Sequence, residues 1–141
     1  APKVLIFRGK EYEKSRKMKI DEVALYVERD IHLLLQQEYL ELNAEFSLEI
    51  KKVRTGDHIN VSVQLRSGYL LDFIHEDIQK ILMKYNQQTL MLNDGQFKAI
   101  PPRFSFHVSF SYPGKEVDLA EGEGWEDDTH LYYEDPYYPD N

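Results

Sequence analysis

A chain of 141 residues, 42% hydrophobic and 13% aromatic, has room for one modest core. The absence of cysteine excludes structural disulfides, thiolate metal sites and a cysteine nucleophile, and it suits a reducing compartment. The net charge of −8 is unevenly divided: residues 115–141 hold ten acids against Lys115 alone, while residues 1–114 hold 15 acids and 16 cations.

No window approaches the ~18 apolar residues of a membrane span. The first residues, Ala1 to Arg8, lack the long apolar region of a signal peptide, so the chain reads as cytoplasmic. Val4 to Phe7 is a continuous apolar run, the pattern of a buried strand. Gly9-Lys10 turns it into a strongly basic segment, Glu11 to Lys19, which reads as a solvated hairpin or loop. Asp21 then offers a carboxylate as N-cap. From there Val23, Ala24, Val27, Ile31, Leu34 and Leu35 recur at three- and four-residue steps, which predicts an amphipathic helix ending near Leu40 to Asn43.

Two runs of period two follow. Phe46, Leu48 and Ile50 alternate with polar residues, as do Ile59, Val61, Val63 and Leu65, and Arg54-Thr55-Gly56-Asp57 lies between them. They predict an antiparallel hairpin with one buried and one wet face. Leu70 to Tyr85 reads as a second helix whose buried stripe includes Leu70, Phe73 or Ile74, Ile78, Ile81 and Leu82. Thr89 to Ile100 folds about the turn Asn93-Asp94-Gly95, and Pro101-Pro102 ends it. Arg103 to Tyr112 is the clearest strand. Phe104, Phe106, Val108, Phe110 and Tyr112 share one face, and Ser105, His107, Ser109 and Ser111 the other. The aromatic face should pack on Val27, Ile31, Leu34 and Ile78.

The order predicts an α+β domain over residues 1–114: an antiparallel or mixed sheet of four or more strands, with two helices packed on one face. A single sheet of the ferredoxin-like or a related split type is the expected form. Residues 115–141 form an acidic, tyrosine-rich C-terminal tail.

No phosphate loop, dinucleotide fingerprint or nucleophile elbow occurs. His32, His58, His75, His107 and His130 are scattered, and none has a histidine four residues away. His75 with Asp77 is the nearest approach to a metal pair, and a capping arrangement is the simpler reading. His107 beside serines suggests a general base, but neighbours two apart on a strand meet poorly and no acid orients them. The residues therefore call for no catalytic group, cofactor or metal ligand.

Two charged segments remain. Lys10, Lys14, Arg16, Lys17 and Lys19 can attract nucleic acid phosphates, although Tyr12 is their only aromatic neighbour. The tail joins Glu121, Glu123, Glu126, Asp127 and Asp128 to Trp125, Tyr132 and Tyr133, and acidic disordered tails are poor in such aromatics. Trp125 suits folding back on the body. Alternatively, the tail is a disordered solubiliser, or these residues dock on a basic groove, carboxylates standing where phosphates normally stand, with an aromatic anchor.

Val23 to Leu35, Glu45-Phe46-Ser47-Leu48, His58-Ile59-Asn60-Val61-Ser62-Val63, Ile81 to Asn86 and Arg103 to Val108 together resemble a small α+β domain of phages, plasmids and conjugative elements. That domain accompanies large polyvalent proteins. The resemblance covers about the middle two-thirds of the chain, excludes the tail, and brings no catalytic residue with it. It implies a counter-defence setting, similar in kind to anti-CRISPR and anti-restriction inhibitors. The expected function is therefore a non-enzymatic inhibitor of a host CRISPR or restriction nuclease, acting by acidic, DNA-mimicking contacts. The alternative is a nucleic-acid-binding accessory domain using residues 10–19.

Overall fold

The computed structural model describes residues 3–118 and 131–134. The chain runs β1 (Lys3–Gly9), a one-turn helix α1 (Tyr12–Ser15), α2 (Ile20–Glu38), a 3₁₀ turn (Leu40–Leu42), β2 (Glu45–Val53) and β3 (Gly56–Gln64). It continues with α3 (Leu71–Lys84), β4 (Gln87–Asn93), β5 (Gln96–Ile100), β6 (Phe104–Tyr112), β7 (Lys115–Asp118) and β8 (Leu131–Glu134).

The protein is α+β. Its core sheet has the order β2-β3-β6-β7, and β3 and β6 run parallel while the other pairs are antiparallel. The alternation in the three long strands decides its faces. Phe46, Val63, Phe110 and Val117 stand in one row, Leu48, Val61 and Val108 in the next, then Ile50, Ile59 and Phe106. Against this face pack α2, through Val23, Val27, Ile31 and Leu35, and α3, through Ile74, Ile78 and Leu82, all in one buried cluster. Phe106 keeps 1% of its surface exposed.

The strands are not gathered into one sheet. β1 pairs with β4, not with the core strands, in a second sheet of order β5-β4-β1-β8. The apolar run Val4 to Phe7 is only half-buried and lies outside the core cluster, so its reading as a fully buried strand is corrected. Both helices direct their buried stripes at the core sheet, and no residue of β1 or β4 belongs to that cluster.

Several local expectations are revised. Residues 12–15 form a helical turn and not a hairpin. Helix α2 begins after Lys19, whose backbone N–H donates to the Glu22 carboxylate at 3.1 Å; Asp21 lies within the first turn and is not the cap. Of the two α3 alternatives, Ile74 is buried and Phe73 is 65% exposed. Beyond Gly114, β7 adds to the core sheet, and β8 adds to the second sheet with Tyr132 opposite Arg8 and Tyr133 opposite Phe7.

The two sheets meet at Asn86, which is 1% exposed. Its amide accepts from the backbone N–H groups of Phe104 (3.2 Å) and Gln87 (3.0 Å) and donates to the Phe104 carbonyl (2.9 Å). Gly9 is sealed in beside it. A Cβ there would stand 2.0 Å from the Met83 carbonyl oxygen, so no side chain fits without backbone movement. Among the described residues, no helix is long and apolar enough to cross a membrane.

Candidate functional site

The basic segment is held to the body by the Glu11 N–H, which donates to the Lys84 carbonyl at 2.8 Å, by the Arg8–Glu13 ion pair at 2.9 Å, and above all by Arg103. Arg103, next to β6, donates to Ser15 Oγ (2.8 Å), the Tyr85 carbonyl (3.0 Å) and the Met18 carbonyl (3.2 Å), and also to the Ser15 carbonyl. Its guanidinium lies 5.4 Å from the centre of the Tyr12 ring. One half-buried cation thus satisfies carbonyls that end α1 and holds this exposed basic projection to the body. Lys10, Lys14, Arg16, Lys17 and Lys19 are all exposed on it. Arg16 pairs with Glu13 at 3.2 Å and Lys14 approaches Glu11 at 4.0 Å, so part of the positive charge is answered locally.

Beside this projection is a compact polar network. The Asp30 carboxylate accepts from Tyr85 Oη (2.5 Å), Lys84 Nζ (2.9 Å) and the Arg29 guanidinium (3.1 Å). Burial pulls the Asp30 pKa up, but the hydrogen bonds from Tyr85 and Lys84 outweigh it, and the carboxyl is held below its usual range. Burial, then the bond to Asp30, pushes the Tyr85 hydroxyl well above its ordinary value. Arg29 lies over the Tyr26 ring, 4.8 Å from its centre. These groups lock α2 to α3, and Tyr26, Arg29 and Tyr85 line one depression with Glu11 and Lys14.

The polar face of the core sheet holds a second arrangement, which the sequence did not disclose. Ser105 and His58 are opposite one another on β6 and β3, with Ser105 Oγ 2.6 Å from His58 Nδ1. His58 Nε2 lies 2.9 Å from the Asn60 side-chain oxygen. The consistent tautomer has the serine donating to Nδ1 and Nε2–H donating to Asn60. That is the hydrogen-bond order of a base-assisted serine, with an amide where a carboxylate would stabilise an imidazolium. Lys51, Val53, Thr55 and His107 complete the lining of a shallow groove of about 480 Å³. An amide carries no charge to offset a protonated ring, so the trio is better suited to binding a polar group than to proton transfer. The sequence puts serines beside His107 within one strand, whereas the close pair is His58 with Ser105, across the parallel β3–β6 register.

His75 and Asp77 do not converge. His75 packs edge-on against Phe110, with ring centres 6.2 Å apart, whereas Asp77 accepts from Tyr39 Oη at 2.6 Å. Among the described residues, no group of three or more histidine or carboxylate side chains is placed to hold a metal.

Of the acidic tail, Glu121, Glu123, Trp125, Glu126, Asp127 and Asp128 lie outside the described residues, and Tyr132 and Tyr133 enter only through the backbone pairing of β8. The structure does fix the two ends of the acidic stretch: Asp118 on the edge of the core sheet and Leu131 on the edge of the second. No family model, curated protein or solved structure matches the chain.

Proposed function

We propose that the protein is a binding protein, not an enzyme: an inhibitor of the phage or mobile-element type. It acts in the host cytoplasm on a nucleic-acid-handling protein such as a CRISPR or restriction nuclease. The observation that supports this reading is the tethering of the acidic stretch. Between the ends of β7 and β8 the chain carries five carboxylates in the eight residues from Glu121 to Asp128, with Trp125 among them and no Lys or Arg. A stretch held at both ends loses less freedom on docking than a free tail, so more of its electrostatic attraction survives as affinity.

The fixed basic projection favours one other reading, direct binding of nucleic acid through Lys10, Lys14, Arg16, Lys17 and Lys19. The experiment is an inhibition screen against purified CRISPR effectors and restriction nucleases. Inhibition of a nuclease of either kind is expected, with loss of inhibition on changing Glu121, Glu123 and Glu126 to Gln and Asp127 and Asp128 to Asn. Inhibition that persists undiminished in this variant would remove the tail from the account. Inhibition arising only where the protein coats the DNA would support the other reading.

A further inference from the structure

The helical layer facing away from the core sheet has its own polarity. Helices α2 and α3 lie antiparallel: Asp30 meets Lys84 and Tyr85 at one end, and Tyr39 meets Asp77 at the other. The Asp77 end gathers Glu38, Glu41, Asp72 and Glu76, with Lys80 paired to Glu76 at 3.3 Å and Arg66 in the preceding loop. The opposite end gathers Lys84 and Arg29 with the projection bearing Lys10, Lys14, Arg16, Lys17 and Lys19, against Glu11, Glu13, Glu22 and Asp30, while Asp21 and Glu28 fall on the flank of α2 away from α3. From residue 73 to residue 84 is about 16 Å along the helix. That exceeds the Debye length of about 8 Å at physiological ionic strength, so each end keeps its own field.

Between and beside these ends the layer exposes large apolar side chains. Tyr26 is 38% exposed, Leu33 41%, Leu40 69% and Phe73 65%. Residues 26 and 33 stand seven residues apart on one side of α2, and Phe73 lies one turn before Asp77 on the side of α3 that meets α2, whereas Leu40, past the non-helical Tyr39, lines a depression toward β2 with His32, Leu35, Gln36 and Phe46.

We propose that this face binds a second copy of the same chain, forming a two-fold dimer in which the helical layers pack antiparallel. The charges select that occupant. A surface acidic at one end, basic at the other and apolar between is complementary to itself when rotated by half a turn, because each acidic end then meets the partner's basic end. This inference rests on the described residues and is independent of the tail's role.

Sedimentation equilibrium of the full chain tests it. Up to about 100 µM protein, a concentration that detects even modest association, a reversible dimer is expected, and it should weaken as salt rises. Leu33→Glu with Phe73→Glu should give a monomer with an unchanged far-ultraviolet dichroism spectrum, since both side chains are exposed. Glu41→Lys with Glu76→Lys should dissociate the dimer, as should Lys14→Glu with Lys17→Glu. Mixing those two charge variants should restore a one-to-one dimer, because every contact between them is again of opposite sign. A monomer throughout, a dimer indifferent to Phe73→Glu, growth into open oligomers, or a face that takes up a basic helical peptide while the protein stays monomeric would each overturn the proposal.

Discussion

The two sheets use apolar residues differently. In the core sheet, Phe104, Phe106, Val108 and Phe110 alternate with serine and histidine, and all four are buried. In the second sheet, Val4 to Phe7 and Leu90 to Leu92 are continuous apolar runs, yet all are half-buried and none joins the core cluster. The less hydrophobic pattern is the better buried one. Burial is settled by what lies opposite, and the helices have only one apolar stripe each. Those stripes cover the strands whose single apolar faces complete a two-layer core.

That contrast breaks most visibly on truncation. Phe106→Ala should lower unfolding stability by about 3–5 kcal/mol, because a fully buried ring is replaced by a cavity. Leu5→Ala, at a half-buried position in β1, should cost about 1 kcal/mol by the same urea titration. Equal losses at the two sites would mean that the second sheet is as well covered as the first. Between these extremes stands the joint. Asn86→Ala should cost about 2–3 kcal/mol, since it orphans both backbone groups of Phe104 and the Gln87 N–H. Asn86→Asp should not restore stability, because a carboxylate cannot donate to the Phe104 carbonyl.

A smaller effect sharpens the comparison from the core side. Burial draws the His75 pKa below 6.5, against the opposing pull of Asp72 and Glu76, and its Nε2 is buried without a hydrogen-bond partner. Between the folded pKa and 6.5 the unfolded chain binds more protons. Stability should therefore be full above pH 6.5 and decline as pH falls through the folded value. Replacing His75 with Phe should flatten that slope in thermal melts taken across the range, and an unchanged slope would assign it to other groups.

Much of this was legible beforehand. The three-and-four spacing from Val23 to Leu35 and the alternation from Phe104 to Tyr112 located the core correctly, because each period admits one face. What the sequence withheld was pairing. Nothing in Val4 to Phe7 says that its neighbour is β4, and nothing in His58 or Ser105 announces a contact across a parallel register 47 residues apart. Arg103 reads as the first residue of a strand, while its work is to hold the carbonyls of Ser15 and Met18. The choice between Phe73 and Ile74 was likewise open, since both fit a helical stripe. The exposed Phe73 became informative only once Asp77 and Tyr39 had fixed which way that side of α3 faces.

We propose that the protein acts on a nucleic-acid-handling partner through its acidic stretch. Fluorescence anisotropy of a labelled DNA duplex at moderate salt tests it most directly, with the protein added alone and then to a complex of the duplex with a nuclease it inhibits. An inhibitor of this kind gives no rise when added alone and a fall from the complex, lost when the five carboxylates from Glu121 to Asp128 are neutralised. A rise with the protein alone that disappears in Lys14→Glu with Lys17→Glu would contradict it and assign the function to the basic projection.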